Sequence, residues 1–151
     1  MAAAVLSNRK QELAAIDLIV TSSGTGPWHI GEGAHPTSRL VWEKAGYSHQ
    51  HTASQFRPND YFTHDYILVM DSSNRANVLD LATSQQDREK VFYLRSFDPE
   101  LRAIDPESAD FVKLEIPDPY NQSEAAYQSV LEMIEQSVGG LLEHLKAGHV
   151  A

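Results

Sequence analysis

The sequence contains no cysteine. That absence excludes disulfide frameworks, thiolate metal sites and every cysteine nucleophile. Basic residues are scarce too: 12 lysines and arginines stand against 21 aspartates and glutamates, a formal net charge of -9. Such a chain repels nucleic acid and anionic membrane surfaces, so neither is expected as a partner. No apolar run is long enough to span a bilayer. The alanine-rich start as far as Leu6 is too short for a signal sequence and runs into Arg9, Lys10 and Glu12. A soluble, cytoplasmic protein is expected. Internal repeats and low-complexity linkers are missing, as are Gly-x-Gly-x-x-Gly, Gly-x-x-x-x-Gly-Lys and Gly-x-Ser-x-Gly patterns.

What is present fits one globular domain over residues 1–151, with 42% hydrophobic and 22% charged residues. Residues 17–23, 66–70 and 91–94 are short apolar runs rich in branched and aromatic side chains, and each reads as a strand. Their hydrophobicity is continuous rather than alternating, which predicts a parallel sheet covered by helices on both faces. The expected class is α/β.

Helices are predicted between and around these runs. Residues 1–15 carry Ala2, Val5, Leu6 and Leu13 at amphipathic spacing, with no capping residue before them. Residues 36–45 place Pro36 in a first turn and Gly46 just past the end. Residues 72–82 read as a further crossover helix. The clearest helix carries Tyr127, Val130, Leu131, Ile134, Val138, Leu141, Leu142 and Leu145 at spacings of three and four. Asn121 or Ser123 could cap its start, and Gly148 lies just beyond its end. Its Gly139-Gly140 pair either weakens it by about 1 kcal/mol per glycine or permits close packing on the sheet.

Three groups of residues could carry chemistry. Pro117-Asp118-Pro119 fixes the backbone on both sides of one carboxylate, as an ordinary turn or as a rigidly held acid. Trp28 lies in the glycine-rich loop Gly26-Pro27-Trp28-His29-Ile30-Gly31, directly after the first run. That is where α/β proteins place ligand sites, although a tryptophan packing the loop down reads equally well. His49 and His51 could bind metal, but nothing supplies the remaining ligands at a recognisable spacing. No metal and no cofactor is expected.

Taken in order, these pieces resemble the low-molecular-weight protein tyrosine phosphatases. Residues 1–6 look like the helix that follows the catalytic loop, and residues 21–31 like the second strand and substrate loop. Met70-Asp71-Ser72-Ser73-Asn74 resembles the Met-Asp-x-x-Asn ending of the third strand, and Arg95-Ser96-Phe97-Asp98-Pro99 and Pro117-Asp118-Pro119-Tyr120 complete the series. The resemblance implies a three-layer fold with a four-stranded parallel sheet, about three strands of which are represented. It implies attack on phosphorus by a cysteine thiolate, with an arginine and loop amides holding the phosphoryl oxygens. Asp118 matches the general acid, Trp28 and Tyr120 match the aromatic walls around the substrate's phenyl ring, and Ser22 and His51 match residues that brace the phosphate loop. The implied substrate is a phosphotyrosine-containing protein or a small aryl phosphate.

The family's signature, a Cys followed after five residues by Arg and then Ser or Thr, is absent. It would lie just before Met1, so the resemblance implies a chain that lacks its N-terminal strand and phosphate loop and does not turn over as written. Loss of that strand is expected to leave unpaired edges and poor stability. Ser54 and Asn121 stand where arginine and a second aromatic are common. A non-catalytic binding module and a relative of the arsenate reductases or protein arginine phosphatases are the alternatives.

Overall fold

The computed structural model describes residues 1–28 and 30–148; His29, in the predicted substrate loop, lies outside them. The chain starts with α1 (Ala2–Arg9), which buries Ala4, Val5 and Leu6 and passes into a 3-10 turn, Lys10–Glu12. The helix is shorter than the sequence predicts. Leu13, buried at the close of that turn, leaves helical geometry at ψ 76°.

Residues 16–23 belong to no helix or strand among the described residues. Ile16, Leu18 and Val20 pack on the core, while Ile19 between them is 80% exposed. The run therefore alternates and buries one face only, contrary to the expectation from its continuous hydrophobicity. Among the described residues, an isolated parallel bridge next to it joins Gly24 to Gln55.

After α2 (Pro36–Lys44) and the short α3 (Asp60–Thr63), β1 (Ile67–Val69) leads to α4 (Ser72–Asp80), α5 (Gln85–Arg88) and β2 (Val91–Tyr93). β1 and β2 are parallel, with Ile67 opposite Val91, Leu68 opposite Phe92 and Val69 opposite Tyr93. The described sheet thus has two strands, not three. For β1 the two-faced burial does hold. Ile67 and Val69 join Phe56, Tyr61, Val78, Tyr93 and Leu114 on one side, whereas Tyr66, Leu68 and Met70 pack into the larger core on the other.

That larger core is organised by α6 (Glu124–Gly148), whose buried stripe contains all eight apolar residues of its periodic pattern. Burying such side chains contributes about 1.5 to 3 kcal/mol each before conformational entropy is subtracted. α6 packs on α1, on α2 and on the 3-10 turn Leu94–Phe97. Gly148 is the last described residue and still belongs to the helix, and the Ser123 hydroxyl accepts the Ala126 amide at 3.3 Å, so Ser123 caps its start. The helices α1, α2 and α6 cover one face of the sheet and α4 covers the other, giving the expected three layers.

Candidate active site

Ile116 begins the acid loop at the C-terminal end of β1, where its amide donates to the Met70 carbonyl at 2.7 Å. The preceding Glu115 fastens the same place: its carboxylate accepts the Ser72 amide at 2.8 Å and hydroxyl at 3.0 Å, and its carbonyl accepts Arg95 Nη1 at 3.2 Å. Open α/β sheets bind ligands beyond this end of their strands.

Within the loop, Asp118 Oδ1 accepts the Tyr120 amide at 3.0 Å, an Asx turn that ties the carboxylate and the tyrosine into one unit. Gln122 then donates its amide to the Pro119 carbonyl at 2.9 Å, and Asn121 makes the bend at φ 60°, a conformation asparagine tolerates better than most residues. Asp118 is exposed, and its Oδ2 has no hydrogen-bond partner among the described residues. A carboxyl so held can meet a ligand without first breaking a protein contact.

The loop carrying Trp28 is stapled at both ends to residues 53–56. Gly24 donates to the Ser54 carbonyl and accepts from the Phe56 amide, each at 2.7 Å. Gly31 donates to the Ala53 carbonyl at 2.7 Å, and Ala53 to that of Glu32 at 2.8 Å. Ser54, where the resemblance leads one to look for arginine, donates its hydroxyl to the Ser22 carbonyl at 3.1 Å. Trp28 projects from the loop at 74% exposure, and Tyr120 is 53% exposed. Their rings do not touch each other among the described residues.

Trp28 rests on the bare Cα of Gly26: a Cβ there would lie 1.6 Å from a ring carbon. Gly26→Ala is therefore expected to swing the indole away while changing stability by less than about 1 kcal/mol, because an exposed ring moves freely. Tryptophan fluorescence checks this against the buried Trp42, whose emission should stay constant.

Ser22 Oγ lies 3.2 Å from His51 Nδ1, so the structure brings these two predicted residues together. His49 packs edge-on to Trp42 at 6.1 Å. Both imidazoles titrate below their usual value, first because burial disfavours the charged ring and second because the α-amino group of Met1 repels it. For His51 the neighbouring His49 adds to this. Their folded pKa values lie below the unfolded value, so the unfolded chain binds more protons as pH falls. Their stabilising effect is complete above about pH 6.5 and is lost as pH drops through the lowered values. Urea midpoints should therefore decline as pH falls below about 6.5, and His49→Gln should flatten the decline. Among the described residues, no group of three or more His, Asp or Glu is placed to hold a metal ion.

One residue at this site is not singled out by the sequence reading. His35 caps α2 by accepting the Thr37 amide at Nδ1, 3.2 Å away. Its ring stacks on Tyr127 at 5.5 Å and meets Tyr120 edge-on at 5.3 Å. The signal for the cap was there, since the residue before a helix-initiating proline is the N-cap. The contacts with Tyr120 and Tyr127 join residues too distant in sequence to be read locally. Tyr127 is 2% exposed, and burial, then the charge of Asp118, raises its pKa and keeps its hydroxyl protonated.

Residues 1–150 match the family described as low molecular weight phosphotyrosine protein phosphatase. The chain belongs to that family. A low molecular weight protein-tyrosine-phosphatase from Streptomyces coelicolor is 34% identical over 143 residues, which cover 94% of this chain and 82% of that protein. A protein tyrosine phosphatase from Entamoeba histolytica, crystallised with Hepes in its active site, superposes with a TM-score of 0.83 at 26% identity. That match covers 99% of this chain and 89% of the other. An arginine phosphatase from Geobacillus stearothermophilus has a TM-score of 0.77 over 99% of this chain and 85% of its own, but at 21% identity it shares the fold alone. Membership of the family settles the α/β class and the protein tyrosine phosphatase assignment. None of the described helices is long and apolar enough to cross a membrane.

Proposed function

We propose that this chain is a single phosphatase domain over residues 1–151 that forms the aryl-binding and proton-donating part of a cytoplasmic phosphotyrosine phosphatase site. Asp118 is the general acid, Trp28 and Tyr120 flank the phenyl ring, and Ser22 and His51 support the phosphate loop. The observation that carries this reading is the Asx turn at Asp118, which fixes the acid beside an exposed aromatic ring and leaves Oδ2 free.

The chemistry assigns each part a task. A thiolate attacks phosphorus and the phenolate departs; a phenolate of pKa about 10 leaves slowly unless it is protonated as the bond breaks. Asp118 supplies that proton. The covalent phosphate is then hydrolysed, with the same carboxylate able to accept a proton from the attacking water. Flat walls on either side of the ring favour phosphotyrosine over phosphoserine, whose shorter side chain reaches neither. The substrate is accordingly a phosphotyrosine protein or a small aryl phosphate.

The 151 residues include no cysteine, so they cannot form the cysteinyl phosphate by themselves. That fact favours a second reading, a non-catalytic module that retains the walls and Asp118. Without an arginine and loop amides to replace water around phosphate, its anion affinity would be weak. The two readings separate when the chain is assayed alone and preceded by a segment that carries the first strand and a Cys-x-x-x-x-x-Arg-Ser loop. Aryl phosphate hydrolysis by the longer protein alone supports the phosphatase reading, and a folded but inert longer protein supports the module.

A further inference from the structure

We propose that His35 is a positioning residue for the aryl-binding site: its neutral imidazole braces Tyr120 and, through the Asx turn, the Asp118 loop. The proposal deepens the phosphatase reading and rests on Tyr120 being a wall of that site.

The hydrogen bonds fix the ring's protonation. The Thr37 amide can only donate, so His35 Nδ1, 3.2 Å away, carries no hydrogen. The Tyr127 hydroxyl, 3.1 Å from the same nitrogen, must then donate to it, and the imidazole hydrogen sits on Nε2. Two donors from two elements aim at one nitrogen, which sets the plane of the ring.

That plane is passed on to the site. Tyr127 is buried in the α6 core, His35 lies almost parallel to it with 17° between the rings, and Tyr120 meets His35 at 74°. An edge-to-face arrangement is a favoured one for aromatic pairs. Tyr120 is otherwise 53% exposed, with its backbone amide held by Asp118. A wall that is already ordered loses less entropy when a phenyl ring docks, so the brace acts on binding more than on the chemical step.

Two substitutions at one position divide the cap from the brace. His35→Asn keeps a good N-cap acceptor but removes the ring, whereas His35→Phe keeps the ring and removes the acceptor. Imidazole nitrogen spectra and tyrosine ring NOEs are recorded on this chain, and KM for an aryl phosphate is measured on the chain preceded by the cysteine-bearing segment. The expected result is a bare Nδ1 in the parent, loss of Tyr120 ring contacts in His35→Asn with KM raised roughly threefold to tenfold, and kcat changed by less than about twofold. His35→Phe should restore the Tyr120 contacts and most of KM while melting lower. A proton on Nδ1, unchanged Tyr120 contacts and KM in His35→Asn, or equal defects in both variants would overturn the brace. If Tyr120→Ala leaves KM untouched while the ring contacts respond as expected, the wall reading fails, and with it the functional claim for His35.

Discussion

Gly140→Ala should destabilise the domain by about 3 kcal/mol or more, whereas Gly139→Ala should stabilise it by about 0.5 to 1 kcal/mol. The two glycines are neighbours in one helix, and intrinsic propensity would treat them alike. Their surroundings differ. A Cβ on Gly140 would lie 1.7 Å from the carbonyl oxygen of Phe97 and 2.7 Å from its carbonyl carbon, both backbone atoms of the turn against which α6 packs. Backbone cannot step aside as a side chain does, so the helix must move away from Leu94 and Phe97, which are 1% and 8% exposed in the main core. At Gly139 the nearest atoms are the ends of the Arg9 side chain, at 3.7 and 3.8 Å, an ordinary contact. There the methyl group only reduces the freedom of the unfolded chain. Urea titrations of both variants check the contrast; equal shifts would show that the close approach of α6 to the turn is wrong.

Asp118→Asn is the second substitution with a large expected effect. In the chain preceded by the cysteine-bearing segment it should lower turnover of phosphotyrosine by about 10²- to 10⁴-fold, the usual range for loss of a positioned acid. Asparagine keeps an oxygen for the Tyr120 amide, so the turn observed at 3.0 Å can persist and the loss reports chemistry rather than folding. The signature lies in the leaving group. The parent should be insensitive to the phenol's pKa, while the variant should slow steeply as the phenol becomes less acidic, because the phenolate then leaves unprotonated. A uniform small loss across all phenols would assign Asp118 to the turn alone.

The parts legible in the sequence are those that local physics determines. The stripe from Tyr127 to Leu145 gave α6, and Pro36 with Gly46 bracketed α2; Gly46 indeed adopts φ 92°, the left-handed geometry that glycine allows past a helix end. β1 and β2 followed from short apolar runs between helices. Residues 17–23 show where such reasoning stops. Their composition is that of a strand, but a strand exists only with a partner, and Ile19 faces solvent instead.

The site divides in the same way. The flanking prolines marked Asp118 as a turn or a held acid, and the structure shows an Asx turn there; Ser22 and His51 were each singled out by resemblance, while their contact with one another was not. The contact between His35 and Tyr127 spans 92 positions and left no periodic trace. Nor could the sequence choose between the two accounts of Gly139 and Gly140. That choice needed the path of the Leu94–Phe97 turn beneath the helix.

The central claim is that this chain holds the acid and the aromatic walls of a phosphotyrosine phosphatase but not its nucleophile. Its most direct test is steady-state hydrolysis of an aryl phosphate at mildly acidic pH by two proteins side by side: the 151-residue chain, and the same chain preceded by the Cys-x-x-x-x-x-Arg-Ser segment with its strand. The account predicts no turnover by the first and turnover by the second that depends on Asp118. Hydrolysis by the cysteine-free chain itself, or a folded longer protein that is inert, would contradict it.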